Sequence, residues 1–480
     1  MERPDYTKFL LIPVLVLAFY IAYIPHLNYP YPVHVDEWVH IAYSNSLLAH
    51  GHIVHLEPFT GVSSGSIIYD LESGFHILTA TIESVTGLSG ITIARYFPGL
   101  IFILTVLSVF VLAKREGFGW EAAFFTCFIP TNVGLLGPAF FIPIIVNLPL
   151  IALSLLLVFY HRSFKSYIML VFLMGFMFIN HVTSAILLVL ILVPYFFIHL
   201  VKEPKHSIIL ALIAIVPFLL MLPWTHNLII STWQSLFTPK PTPAYHDIPY
   251  IISFYGYLPI ILALIGIVWL SLKGGATGMS LLLGLVVIAV MLATFYSLHY
   301  GVEEIYMRGT VIFYLLLGIV AGAGLMAVKR LTLPGHFPAW EPGRNVGYAL
   351  VGILVIVSLA LAIPSRLATP YYHMIDEHDY TTFVWIRSNI SPVVGANRRA
   401  ILDPWKATAF TAITGTQVYA RITTAPTPYS NEASQFLADG CPDTLFMLDN
   451  RIKIVYTQQE VVNPDLVEVT DGVYILQVNQ

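Results

Sequence analysis

The chain of 480 residues is 57% hydrophobic and only 10% charged, with a formal net charge of −4 and a mean hydropathy of +0.78. A soluble domain carries more charge, and the slight acidic balance excludes the basic footprint of a nucleic-acid-binding protein. Apolar runs of about 18 residues or more recur, each long enough to cross ~30 Å of hydrocarbon as a helix, so the class is a polytopic α-helical membrane protein.

The residue pattern predicts eleven spans, at 9–27, 95–113, 120–137, 142–160, 165–183, 184–200, 207–223, 251–272, 277–297, 308–328 and 346–364. The first is too long for a signal-peptide core and has no small-residue cleavage site, so it reads as a retained helix. The third is the weakest, because Pro130, Asn132 and Gly134 interrupt it. Together, residues 1–364 form the transmembrane domain, with a long first connection over 28–94.

That connection is unusual. From Phe9 to Ala94 there is no Lys or Arg, yet the stretch holds six carboxylates and seven of the seventeen histidines. Asp36 to His50 reads as a short helix ended by Gly51. It places Asp36 and His40 on one face at i, i+4 and Glu37 and His40 at i, i+3. A second helix over Leu71–Val85 puts Leu71, Phe75, Leu78, Ile82 and Val85 on one side and Glu72, His76, Thr79, Glu83 and Thr86 on the other. Such an amphipathic helix lies in a membrane surface rather than crossing it.

Lys and Arg near the span ends set the orientation. Alternate connections carry Arg3 and Lys8, Lys114 and Arg115, Arg162 and Lys165, Lys202 and Lys205, Lys273, and Lys329, Arg330 and Arg344. These twelve face Arg95, Lys240 and Arg308 on the other side. The N-terminus is therefore expected to be cytoplasmic, in a multi-pass protein of the cell membrane. The same bias gathers Asp36, Glu37, His181, the 224–250 connection, Glu304 and Arg308 on the extracytoplasmic face. The 224–250 connection, with four prolines between Pro239 and Pro249 and with Trp224, Trp233, Tyr245 and Tyr250, could anchor in the interface or cover a substrate.

Beyond Ser365 the composition changes. Helix-like 377–389 and 405–414 alternate with strand-like 400–403, 417–420, 451–456 and 472–477, which predicts a small extracytoplasmic α/β domain over 365–480. Asn389-Ile390-Ser391 matches a glycosylation sequon, followed at once by Pro392. Cys127 lies in an apolar span and Cys441 in the tail, so no disulfide is expected.

Acids in a first helical turn are favoured by the macrodipole alone, but that does not explain His34, His40 and His76 clustering around Asp36 and Glu37. A carboxylate there can take a proton from an acceptor hydroxyl or hold a divalent cation such as Mg2+ or Mn2+. The zincin pattern HExxH is absent, which argues against a metalloprotease. Arg308, four residues after Glu304, is either half of a helix-end ion pair or a grip on a lipid phosphate, which its planar fork suits. Arg95 is a second candidate for that grip. His181, after Asn180 and before Thr183, is either a packing histidine or a substrate ligand.

A span, a long outer loop opening on an acidic pair, surface helices, roughly ten further spans and an outer C-terminal domain resemble the GT-C class of integral-membrane glycosyltransferases. Those enzymes carry a modified DxD motif in the first loop, and the matching residues here are Asp36-Glu37. The segments Leu71-Glu72-Ser73-Gly74-Phe75-His76 and Ala94-Arg95-Tyr96-Phe97-Pro98 look like the class's surface helix and second span. Tyr380 to Asn389 (YTTFVWIRSN) is similar to the segment preceding the WWDYG motif of oligosaccharyltransferase catalytic subunits, but Ile401-Leu402-Asp403-Pro404-Trp405 stands where that motif would fall. The resemblance implies transfer of a single sugar from a polyprenyl- or dolichyl-phosphate donor to a glycan, lipid or protein acceptor, inverting the anomeric centre, with Asp36 as base, Glu37 beside it, and Arg308 and Arg95 at the lipid phosphate. Two other classes remain open from the residues alone. A secondary transporter or flippase would need ionisable residues at mid-membrane and paired broken helices, and a non-enzymatic assembly subunit would need only a partner-binding outer domain.

Overall fold

The computed structural model describes residues 7–53, 57–61, 72–236, 248–301, 303–331, 342–394, 398–422 and 425–477. Residues 237–247 of the aromatic connection, Lys240 among them, and Leu71 lie outside these, as do the side chains of Trp224, Trp233, Glu304 and Arg344. Two compact units are formed, one from Met1–Leu27 and Tyr96–Pro370, the other from Asn28–Arg95 and Tyr371–Gln480. The first long connection thus folds with the C-terminal residues.

Seven helices among the described residues are long and apolar enough to span a membrane: Phe9–His26, Gly90–Lys114, Pro143–Tyr160, Val182–Leu200, Gly275–Leu298, Ile305–Lys329 and Val346–Leu367. Three shorter apolar helices, Phe164–Asn180, Pro204–Leu220 and Tyr257–Lys273, accompany them. The backbone helix that starts at Pro204 continues to Leu236, into the stretch expected to be loop. Ile305–Lys329 is the most enclosed span, with 89% of its apolar window buried, and Val346–Leu367 the least, with 17%. The enclosed helix meets Tyr257–Lys273 through two glycines. A β-carbon on Gly324 would stand 1.8 Å from the Leu262 carbonyl oxygen, and one on Gly266 would stand 1.9 Å from that of Val320. Small residues let helix backbones approach where no water drives association.

The expected span at 120–137 is not a helix throughout. Gly119–Thr126 makes two turns, and Cys127–Ile142 follows without regular structure because prolines at 130 and 138 remove backbone donors. Gly119 sits against the Phe110 carbonyl near one end of Gly90–Lys114, while Phe141 meets Phe97 near the other, with ring centroids 6.0 Å apart. Irregular backbone at membrane depth is tolerated only when protein satisfies its polar groups. Here distant side chains do so. Arg366 Nη2 donates to Phe128 O at 2.7 Å, and Tyr255 Oη donates at 3.1 Å to Phe125 O, in the last turn of Gly119–Thr126. Asn132 Oδ1 accepts from the Gly134 and Leu135 amides, both at 2.9 Å. At the end of this unit that holds Lys114, Lys329 Nζ bonds the buried Glu121 at 3.0 Å and Tyr160 Oη donates to Glu116 at 2.6 Å.

The second unit is built on a five-stranded sheet of order β2-β1-β3-β5-β4. Its strands are β1 (Arg399–Ile401), β2 (Gln417–Val418), β3 (Ile452–Tyr456), β4 (Leu466–Thr470) and β5 (Val473–Leu476). β1 pairs in parallel with β2 and β3, and β3-β5-β4 run antiparallel. The helices Glu377–Asn389 and Ala407–Thr414 and strands β1, β2, β3 and β5 fall where the sequence pattern places them. Pro428–Ala438, Thr444–Asp449 and β4 are additional. Ala407–Thr414 packs on Val35–His50, with Asn45 Nδ2 donating to Ala412 O at 2.8 Å. Residues 57–61 are tied to the same sheet, through Val418 N–H to Phe59 O at 2.7 Å and through the Arg421–Glu57 ion pair. Under the sheet, Asp379 is almost wholly buried and accepts from Lys406 Nζ, Tyr456 Oη and the Asp376 amide, at 2.7, 2.7 and 3.0 Å. Cys127 and Cys441 are free, buried thiols.

Candidate functional site

The acidic pair opens the helix Val35–His50, which Gly51 ends in the left-handed conformation at φ 70°. His34 is the N-cap, in extended conformation, and its Nδ1 accepts the Asp36 amide at 3.1 Å. Glu37 closes a capping box from the other direction. Its Oε2 accepts the Val33 amide at 2.6 Å and the His34 amide at 3.0 Å, and the residue is 0% exposed. The two acids therefore differ in kind. Glu37 is a buried cap whose carboxylate satisfies backbone donors that the helix leaves orphaned. Asp36, whose side chain is 35% exposed, presents its carboxylate at the positive end of the helix dipole. His34 Nδ1 lies 3.8 Å from Asp36 Oδ2.

His40 and His76 meet one turn further in. Their ring nitrogens are 3.0 Å apart, His40 Nδ1 to His76 Nε2, both rings are buried, and Glu72 Oε2 lies 3.8 Å from His40 Nδ1. Tyr43 stacks on His76 at 5.0 Å, and the Ser44 and Thr79 hydroxyls are 2.6 Å apart. This seam joins Val35–His50 to the second helix, Ser73–Thr86, by its polar side. Among its apolar residues, Phe75 is buried while Ile77 and Val85 are exposed, by 43% and 80%. A helix that buries His76 and Thr79 and exposes aliphatics suits a lipid neighbour better than water. Arg95 is half-buried on Gly90–Lys114.

In the membrane unit, His181 links Phe164–Asn180 to Val182–Leu200 and is buried, its Nδ1 2.7 Å from Ser184 Oγ. Asn147 donates to the His181 carbonyl at 3.4 Å and accepts from Asn180 at 2.9 Å. The Arg308 cation lies near this imidazole. Arg308 is half-buried, and its Nη1 is fully enclosed without a hydrogen-bond partner among the described residues. The structure thus groups the candidates as His34–Asp36–Glu37, His40–His76 with Glu72, and His181–Arg308.

Three contacts of the segment 29–34, which leads into this helix, come from residues that no local pattern marks. Tyr29 Oη donates to Ile375 O at 2.7 Å, and this phenol is pushed up to about 12, chiefly by burial. The Tyr372 amide donates to Val33 O at 3.1 Å, and the Tyr372 ring stacks on His34 at 5.7 Å. Sequence separation above 300 residues hid all three.

No family model matches the chain, and no curated protein matches it in sequence. Solved structures do match in fold. The apo oligosaccharyltransferase of Archaeoglobus fulgidus is 14% identical over 95% of this chain and 70% of its own, with a TM-score of 0.58. ArnT from Cupriavidus metallidurans bound to undecaprenyl phosphate is 12% identical over 100% of both chains, with a TM-score of 0.58. The arabinofuranosyltransferase AftD from Mycobacteria is 14% identical over 100% of this chain and 40% of its own, with a TM-score of 0.59. The chain has the fold of GT-C membrane glycosyltransferases.

Proposed function

We propose that this protein is a glycosyltransferase that moves a sugar from a polyprenyl- or dolichyl-phosphate carrier to an acceptor hydroxyl on the extracytoplasmic face. The observation that carries the reading is the asymmetry of the acidic pair: Glu37 is committed to two backbone amides, and Asp36 is left partly exposed at a helix N-terminus. In the reaction, Asp36 accepts the proton of the acceptor hydroxyl as its oxygen attacks the anomeric carbon. The bond from that carbon to the carrier phosphate breaks, and its electron pair leaves with the phosphate. One base and one displacement invert the anomeric centre. Arg308, with a buried nitrogen lacking a protein partner among the described residues, neutralises the departing phosphate, and Arg95 assists it. His34 holds Asp36 at its cap. His40 and His76 fix the helix behind it, and His181 sets the surroundings of Arg308.

The fold supports the same reading, since the archaeal oligosaccharyltransferase has been solved with dolichol-phosphate and ArnT with undecaprenyl phosphate. The excess of Lys and Arg on alternate connections supports a cytoplasmic N-terminus and an outer location for Asp36. A divalent cation fits the residues poorly, although the archaeal enzyme has also been solved with zinc and sulfate. No group of three His, Cys, Asp or Glu side chains among the described residues is arranged to hold an ion, and Glu37 is already occupied. The test is incubation of membranes containing the protein with radiolabelled polyprenyl-phosphate hexoses and pentoses. Transfer of label into a water-soluble, lipid or protein product is expected, and label that stays wholly on the carrier refutes the reading.

A further inference from the structure

The seam between Val35–His50 and Ser73–Thr86 is closed by two imidazoles. His40 Nδ1 and His76 Nε2 are 3.0 Å apart, and both residues are buried. At that separation one nitrogen donates and the other accepts, so the two facing nitrogens hold one hydrogen between them. Neighbouring side chains fix both rings. Phe75 meets His40 edge-on at 5.1 Å, Tyr43 stacks on His76 at 5.0 Å, and the Ser44 and Thr79 hydroxyls are 2.6 Å apart one turn further along. Among the described residues, Glu72 is the nearest charge, with Oε2 3.8 Å from His40 Nδ1. On the two helices themselves the other titratable groups are Asp36, one turn before His40, the stacked Tyr43, and Glu83, two turns after His76. The segment 57–61 brings Glu57, which is ion-paired with Arg421. Ala407–Thr414, packed on Val35–His50, carries no charged residue, and Gly90–Lys114, which touches Ile41 at Gly90, has Arg95 as its first.

We infer that the His40–His76 pair is an acid-sensitive latch, which holds Ser73–Thr86 on the helix that begins with Asp36 and releases it when both rings are protonated. An imidazolium carries hydrogen on both nitrogens. One proton on the pair is accommodated, because the shared hydrogen bond survives and the Glu72 carboxylate stands beside the charge. A second proton aims two N–H groups at each other across the seam and sets two like charges side by side in a buried place. The two steps belong to the pair and not to either ring. In acid the separated helices hold two protons and the closed seam one. Closure is therefore at full strength above the range of a free imidazole, about 6.5, and is lost as pH falls below it. With the loop outside the membrane, as the charge bias supports, the pH that the latch reads is that of the medium. The latch goes beyond the proposed reaction and does not depend on it.

The test is hydrogen exchange read by mass spectrometry on the full chain in detergent, at about pH 7.5 and about pH 5, on either side of the free-imidazole range. Rates are corrected for the intrinsic pH dependence of amide exchange. Peptides covering residues 73–86 should lose protection in acid by roughly tenfold or more, since one proton excluded from the closed seam shifts its opening by up to about tenfold per pH unit. His76→Gln offers His40 a hydrogen-bond partner in either charge state, and should hold its protection within about threefold between the two pH values. Glu72→Gln should still respond to acid, because the excluded proton belongs to the pair. Ser44→Cys with Thr79→Cys, oxidised to a disulfide across the seam, should abolish the response, and reduction should restore it. Equal protection of wild type at both pH values overturns the inference. So does an acid loss in His76→Gln as large as that of wild type, a response that vanishes in Glu72→Gln, or loosening of residues 73–86 that persists with the disulfide closed.

Discussion

Glu37 and Asp36 are adjacent in sequence, but replacing each should damage the protein in a different way. Glu37→Gln keeps the shape and leaves an amide oxygen to accept the Val33 and His34 amides, but it removes the charge. Hydrogen bonds to a charged group contribute about 1.5–3 kcal/mol each, against about 0.5–1.5 for neutral ones. Two such bonds, at 2.6 and 3.0 Å, therefore lose roughly 2–3 kcal/mol together. At about 1.4 kcal/mol per tenfold change, local opening of the cap becomes roughly 30- to 150-fold more frequent. Hydrogen exchange read by mass spectrometry on peptides covering residues 30–41 reports this opening. The Val33 and His34 amides should exchange faster by that factor in Glu37→Gln, and Asp36→Asn should leave them within about threefold of wild type. Equal protection in Glu37→Gln and wild type would refute the assignment of Glu37 as the cap. An equal loss in both variants would refute the division of labour between the two acids.

Three further outcomes follow from the same contacts. Asp379→Asn leaves the Lys406 ammonium beside a neutral group inside the second unit, and should cost about 3–5 kcal/mol, read as a lower unfolding midpoint of that unit in urea. Gly324→Leu drives a side chain into the Leu262 carbonyl, and should abolish the folded membrane unit as judged by monodisperse elution in detergent, whereas Gly175→Leu, whose β-carbon would meet nothing within 4 Å, should be tolerated. Arg308→Lys keeps the charge but loses the planar fork; transfer should fall about ten- to a hundredfold while the fold is retained, and unchanged transfer would remove Arg308 from the phosphate.

The parts legible in the sequence are those whose causes are local. Apolar runs mark the spans because lipid sorts residues by polarity alone. The helix Val35–His50 was bounded correctly because its N-terminal acids and Gly51 are local signals. Its capping box has no sequence signature, since the pattern expects Ser or Thr at the cap and here a histidine nitrogen accepts the Asp36 amide instead. The expected span at 120–137 departs from a helix because what holds the carbonyls of Phe128 and Phe125, Arg366 and Tyr255, lies 238 and 130 residues away. The same holds for the second unit. Tyr29 with Ile375, Val33 with Tyr372 and Asn45 with Ala412 join the first long connection to the tail, and no local periodicity encodes those pairings. The candidate residues, with Asp36 ahead of Glu37, are legible in the sequence; the contacts that group them and that make Glu37 a cap are not, because they are matters of geometry.

Sugar transfer by Asp36→Asn protein, in membranes supplied with the labelled polyprenyl-phosphate sugar that wild type uses, tests the central claim most directly. The account predicts a rate lower by about a hundredfold or more, the contribution of a positioned general base, with carrier-lipid binding and amide protection at residues 33 and 34 unchanged. Transfer at the wild-type rate in that variant would contradict it.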